Sequence, residues 1–397
     1  MGSGKTTWGI QKLNAEPFTN FLYITPFLSE VDRIINNTNR NFKQPTYKGQ
    51  RKLDDLNELL ACQEDIASTH SLFRDMDSKG KEYIINGNYT LILDEVLNVI
   101  EPYDDITNDD IKLLVDSKCI TIDKDGFISW NKEKLEYDTK YNRIKTMSKN
   151  RSLLFVNQKL LLWRYPPDIF NIFDRIYILT YLFDASILKN YFDLYEINYT
   201  VKSVKGESGK YQLVDYFVPD TSLFKPLINV YDGKLNNNFF QKKTGLSKTW
   251  FSSNNNKVQI IQLRKNLYNY FSNITNAKAE TIMWSTFKDY KNKLRGKGYS
   301  SKFVTYNCRS TNDYNDRFNL AYCINIYVHV ATSQFFLQHN IQIDEDLYAL
   351  SEMIQWIWRS RIRNGEEINL YIPSIRMRNL LNNWIDMNLN YQNKKAS

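Results

Sequence analysis

The chain has 397 residues, 52 Lys+Arg against 44 Asp+Glu for a net charge of +8, and 42% hydrophobic residues, a composition that excludes a disordered or fibrous protein. Four scattered cysteines (Cys62, Cys119, Cys308, Cys323) with no C-x-x-C pair, and only three histidines, argue against a zinc module or a disulfide framework. No apolar run approaches the roughly 18 residues of a membrane span and none opens the chain, so the expectation is a soluble protein of a reducing cytoplasm, whose basic surplus fits polyanion binding without requiring it.

The length predicts two or three domains. The chain opens on Gly2-Ser3-Gly4-Lys5-Thr6-Thr7 and continues into the helix-compatible Trp8–Leu13. Phe21–Thr25 is almost continuously apolar and reads as a strand buried on both faces, as in a parallel sheet. A helix follows over Ser29–Asn36, with Ser29 as its cap and Val31, Ile34 and Ile35 on one face. Ala67-Ser68-Thr69-His70 reads as a strand end, and Tyr89–Leu93 as a second buried strand that runs into Asp94-Glu95. Residues 104–150 break the alternation of strand and helix and read as an insertion. Within them, Cys119–Trp130 carries Asp125-Gly126 between two alternating runs, a hairpin signal. Arg175–Thr180 is a further strand, and the Asn-, Lys-, Ser- and Gly-rich stretch 196–256 reads as the linker to a second domain. Strands are then predicted at Glu280–Trp284, Phe303–Tyr306 and Ile368–Ile372. Both halves are α/β, divided at about 195/196.

Two motifs carry chemistry. Glycines at 2 and 4 would let the N–H groups of Gly2, Ser3, Gly4 and Thr7 close on phosphates, Lys5 would neutralise β/γ charge, and Thr6 would ligate Mg²⁺ at the helix start. Asp94 and Glu95, at the carboxyl end of a buried strand, supply one carboxylate for Mg²⁺ and one to orient water. The separation 94 − 5 = 89 leaves room for two intervening strand–helix units. The full loop pattern would put its first glycine and its strand before Met1, so the expectation is a start upstream of this methionine.

Further segments appear in a recognisable order. Ile24-Thr25-Pro26 resembles motif Ia of superfamily 2 helicases, and Ala67–His70 resembles the T-H strand end of that family. Leu179-Thr180-Tyr181-Leu182-Phe183 occupies the place of motif III, with Tyr181 where a small residue is usual. Trp284–Lys288 looks like motif IV, Cys308–Tyr314 lies near a motif V-like segment, and Gln355-Trp356-Ile357-Trp358-Arg359 has the Q-x-x-x-R core of motif VI. The resemblance spans most of the chain and is closest to phage-type DEAD-like helicases. It implies a P-loop NTPase of two tandem RecA-like domains, residues 1–195 and 196–397, with ATP and Mg²⁺ as cofactors. The implied activity is that of an ATP-hydrolysing helicase or translocase on nucleic acid, DNA more than RNA, in phage or mobile-element replication, alongside replication proteins and in the host cytoplasm. Arg359 and Arg363 are the candidate arginine fingers, one turn apart on a helix, since only a guanidinium is both planar and always charged. Gln355 would contact nucleotide. His70 is a possible nucleic-acid contact, and Trp356, Trp358 and Trp384 read as core. The rival readings are a terminase-type packaging ATPase and a nucleic-acid-binding P-loop protein that does not hydrolyse ATP.

Overall fold

The computed structural model describes residues 3–47, 51–157, 159–236, 242–308 and 313–395, with 387–395 described in backbone only. By internal contacts the chain divides into two compact units. One comprises Gly4–Val214 and Val328–Ile343; the other comprises Met1–Ser3, Asp215–Tyr327 and Asp344–Ser397.

The first unit is built on a four-stranded parallel sheet in the order β2-β1-β3-β9, with β1 Phe21–Thr25, β2 Ile66–Thr69, β3 Thr90–Asp94 and β9 Arg175–Leu179. Every residue of β1 and β3 is buried, which is why both read as unbroken apolar runs rather than as alternating ones. Helices α1 (Lys5–Ala15), α2 (Leu28–Asn37), α3 (Lys52–Ala61), α4 (His70–Arg74) and α5 (Ser78–Asn86) complete the α/β layering. Leu13 of α1, Phe21 and Tyr23 of β1, Val31 and Ile34 of α2 and Ile92 of β3 share one core. Helix α2 starts at Leu28, with extended Phe27 as its N-cap and no side-chain cap bond, so Ser29 lies inside the first turn instead of capping it.

The insertion is larger than its sequence signal. Strands β4 (Ile100–Pro102), β7 (Leu153–Val156) and β8 (Leu160–Arg164) form an antiparallel sheet in the order β4-β8-β7. The predicted hairpin is β5 (Ile120–Ile122) against β6 (Ile128–Trp130), with Gly126 left-handed in its turn. The helix Val330–Gln338 packs against β4, β7 and β8, and its Gln338 amide donates to the Asn157 side chain. This explains why 328–343 belongs to the first unit although it lies deep in the second half of the sequence.

The predicted linker is largely structured. Residues 202–215 form a hairpin, β10 (Lys202–Glu207) with β11 (Lys210–Asp215), which is fastened to α1. The Gln11 side chain donates to the Gly209 carbonyl at 2.8 Å and accepts from the Tyr211 N–H at 2.9 Å. The division of the chain therefore falls after Val214 rather than at 195.

The second unit carries another all-parallel sheet, β12-β15-β14-β13, with β12 Ile228–Val230, β13 Ile282–Ser285, β14 Asn319–Tyr322 and β15 Ile368–Tyr371. Trp284 and Ala321 pack with Leu263, Leu267 and Phe271 of the segment that precedes β13. Phe303–Tyr306 is not a strand: Phe303 makes only an isolated bridge to Trp284. Its ring packs edge-on against that indole at 5.1 Å, which accounts for the apolar character that made the segment look like one. Among the described residues no helix is long and apolar enough to cross a membrane.

Candidate nucleotide site

In the first unit the sheet brings the two chemical motifs together. All four strands run in the same direction, so their carboxyl ends share one edge, where loops present polar groups. Asp94 is the last residue of β3 and is 7% exposed. Thr6, on the first turn of α1, donates its hydroxyl to Asp94 Oδ2 at 3.5 Å, a long contact bridging 88 positions of sequence. Tyr23 of β1 donates its hydroxyl to the same oxygen at 3.0 Å. Sequence reasoning missed Tyr23; its only signal was a hydroxyl-bearing ring in the middle of an otherwise apolar strand.

The electrostatics of the pair are dominated by the burial of the acid. Burial, reinforced by the neighbouring charge of Glu95, pushes the Asp94 carboxyl up to about 6, although the Tyr23 hydroxyl acts in the opposite direction. Burial and the adjacent carboxylate together raise the Tyr23 phenol well above its ordinary value. A cation at Asp94 would oppose the first shift by favouring the ionised carboxylate.

Backbone geometry marks the same place. Gly4, immediately before α1, has φ +78°, and a Cβ there would overlap the Tyr211 ring of the hairpin, so this position accepts only glycine. Glu95 also lies in the left-handed region, at φ 74°. Its N–H donates to the Leu179 carbonyl at the end of β9, tying the turn after β3 to the next strand. In the motif III-like segment, Leu182 is likewise left-handed at φ 51°.

Of the loop residues predicted from sequence, Gly4, Lys5, Thr6 and Thr7 lie at the start of α1, Ser3 directly precedes them, and Gly2 falls outside the described residues. A divalent cation fits this donor set. One buried carboxylate and one hydroxyl supply two hard oxygen ligands, and a Mg²⁺ site of this kind is completed by phosphate oxygens and water. Among the described residues there is no cluster of three or more His, Cys, Asp or Glu able to hold a metal by itself.

The motif VI-like residues lie in the second unit. Gln355 is buried on the helix Glu345–Ile357, and its amide donates to Ser351 Oγ one turn earlier at 3.1 Å. The helix ends at Ile357, and Arg361–Asn364 is a separate 3₁₀ turn, so Arg359 and Arg363 are not successive turns of one helix. Arg359 is 7% exposed, whereas Arg363 is exposed. Arg361, between them, stacks on the Phe318 ring at 3.9 Å and donates to the Glu367 carbonyl. Trp356, Trp358 and Trp384 are buried, as read from sequence. The motif V-like segment falls partly outside the described residues. His70, the first residue of α4, directly follows Thr69, whose side chain caps that helix by accepting the Leu72 N–H.

These features define an α/β protein with two parallel sheets, the first with a buried acid and a hydroxyl-bearing helix start at its carboxyl edge. Residues 222–385 match the YonV C-terminal Rossmann-like domain, and residues 100–163 match the YonV middle domain. The chain is 40% identical over 402 aligned residues, 97% of each chain, to the SPbeta prophage-derived uncharacterized protein YonV of Bacillus subtilis (strain 168), and it belongs to the YonV family. The middle-domain match coincides with the extent of β4 through most of β8. Among solved structures, the chain is similar at 13% identity and a TM-score of 0.49 to one named XPD_APO, covering 96% of this chain and 93% of that one. It is similar at 12% identity and a TM-score of 0.47 to S. tokodaii Xpd4, covering 96% and 91%.

Proposed function

We propose that this protein is an ATP-dependent nucleic-acid motor of the helicase or translocase type, acting on DNA in a phage or prophage setting. The observation that carries the reading is the meeting of the Thr6 hydroxyl, at the start of α1, with the buried Asp94 carboxylate at the end of β3. In this reading Gly4, Lys5, Thr6 and Thr7, with Gly2 and Ser3, cradle the phosphates of ATP. Thr6 and Asp94 hold Mg²⁺, and Tyr23 fixes the orientation of Asp94. Bound Mg²⁺–ATP supplies a cleavable phosphoanhydride whose charge is already partly neutralised. Lys5 offsets phosphate charge, and Glu95, held by its strained turn, orients the attacking water. Gln355 and Arg359 or Arg363 are assigned to nucleotide recognition and γ-phosphate stabilisation on the resemblance of their motif. The prophage origin of the relative supports the phage setting. Nucleic acid is held mainly through its phosphates, so affinity falls steeply with salt.

The test is ATP hydrolysis by the purified chain with and without single-stranded DNA. Hydrolysis stimulated by DNA is expected, with Lys5→Ala and Glu95→Gln each reducing the rate at least about 100-fold while DNA binding persists. Wild-type rates in either variant would refute the site. DNA binding without hydrolysis in the wild type would favour a non-hydrolysing binding protein instead.

A further inference from the structure

The positive charge of the chain is not spread along it. Residues 242–302, all in the second unit, hold 13 Lys+Arg and 2 Asp+Glu, whereas the other 336 residues hold 39 and 42. That stretch therefore carries +11 and the rest of the molecule −3. A general enrichment in lysine would raise both parts alike, and this surplus is confined to one of them.

The fold turns the stretch into a surface. The helix Lys257–Asn269 buries Ile260, Leu263 and Leu267 in the core of the unit and leaves Lys257, Arg264 and Lys265 exposed on its other side. A basic turn is held against this helix by Tyr299, which is 1% exposed. The Tyr299 hydroxyl donates to the Leu294 carbonyl at 2.7 Å and lies 3.4 Å from the Arg264 carbonyl. In the turn Arg295-Gly296-Lys297-Gly298 both cations are exposed, and Gly298 is left-handed at φ 86°. Lys293, on the short helix Lys291–Leu294 just before it, is exposed as well. Among the described residues, the one ion pair made by the 13 cations is Lys248–Asp289, at 3.7 Å between two exposed side chains. Unpaired cations on neighbouring elements repel one another, and an extended polyanion relieves that repulsion.

The surface suits a nucleic-acid backbone better than an anionic membrane. A membrane-surface helix inserts its apolar side, and here that side is already in the core. On the exposed side of the helix Lys257–Asn269 only Val258, Ile261 and Tyr268 lie among the cations, and a tyrosine ring suits a sugar or base. We infer that this side of the second unit is a nucleic-acid anchor that grips the phosphate backbone without bound nucleotide. None of the cations named for it belongs to the nucleotide site, and all lie within one unit, so the surface is complete in the absence of ATP. The inference rests on the nucleic-acid reading above and gives its phosphate grip a location.

The test is binding of a short fluorescent single-stranded oligonucleotide to the full chain without ATP, at a series of salt concentrations. Arg264→Gln/Lys265→Gln/Lys297→Gln is compared with Lys79→Gln/Lys124→Gln/Lys132→Gln, which removes the same charge from the first unit. All six side chains are exposed, so both variants should keep the wild-type thermal midpoint. Each phosphate contact contributes about 0.7 to the slope of log affinity against log salt. The first variant should lower that slope by about 2 and weaken binding at least about tenfold at about 0.1 M salt, and the second should change the slope by less than about 0.5. An equal change of slope in both variants, or an unchanged slope in the first, overturns the anchor and leaves nucleic-acid binding standing. No binding of the oligonucleotide by the wild type overturns the nucleic-acid reading and the anchor with it. Binding instead to vesicles of phosphatidylcholine and phosphatidylserine, lost in the first variant, would assign the surface to a membrane and likewise overturn the anchor.

Discussion

In the first unit, β1 and β3 run side by side and β3 ends on a carboxylate, Asp94, to which hydroxyls from β1 and α1 donate. In the second unit, the neighbouring strands β13 and β14 end on Ser285 and Tyr322, and Thr286 follows directly. All three hydroxyls are buried without a hydrogen-bond partner. The two sheets share a four-stranded parallel layout; the carboxyl edge of the first carries an acid beside hydroxyls, among them the buried Thr25 at the end of β1, whereas β13 and β14 of the second end on hydroxyls without an acid. The shared architecture fixes where functional groups go, and the last residue of each strand decides the chemistry.

The largest effect expected from this comparison is on packing. Trp284, fully buried on β13, donates its indole N–H to the Tyr299 carbonyl at 2.7 Å and sits in the core of the second unit. Trp284→Ala should cost about 3–5 kcal/mol in chemical denaturation, through the cavity and the orphaned carbonyl it leaves. A loss below about 1 kcal/mol would mean that this sheet does not depend on the Trp284 indole.

Next in size is the buried acid. The Asp94 carboxyl has a folded-state pKa of about 6 against an ordinary 3.8. Its protonated form is favoured by folding, so the stabilisation it gives is complete below pH 3.8 and is lost as the pH rises through about 6. A difference of that size between folded and unfolded chain corresponds to about 3 kcal/mol. Without nucleotide or metal, Asp94→Asn should therefore be more stable than wild type above pH 7 by up to about 3 kcal/mol and should lose this part of the pH dependence. Equal stability of the two proteins from pH 4 to 8 would contradict the burial of a charge at this edge.

The smallest effect belongs to the second sheet. Ser285→Ala deletes a hydroxyl with no partner and should change stability by less than about 1 kcal/mol, in the stabilising direction if at all. A loss larger than that would reveal a bond at Ser285 and weaken the contrast between the two edges.

Much of the site was legible because it rests on strands that the sequence cannot disguise. Leu91-Ile92-Leu93 running into Asp94-Glu95 is both an apolar strand and an acid at its end, and the helix-opening Lys5-Thr6 is a local pattern. The hairpin 202–215 was hidden because its strands are mostly exposed; their Lys, Gly and Ser content is that of a solvated surface and reads as a linker. The docking of 328–343 on the insertion is a contact between segments far apart in sequence, for which local periodicity holds no signal. Tyr23 looked like one more apolar strand residue, and only the register of β1 beside β3 brings its hydroxyl to Asp94.

The central claim is that Thr6 and Asp94 form one half of a Mg²⁺–nucleotide site. It is tested most directly by equilibrium binding of a non-hydrolysable ATP analogue to the full chain, titrated with and without Mg²⁺, in the wild type and in Asp94→Asn. The account predicts Mg²⁺-dependent binding in the wild type that loses its Mg²⁺ dependence in Asp94→Asn. No binding in the wild type, or binding whose Mg²⁺ dependence is the same in both proteins, would contradict it.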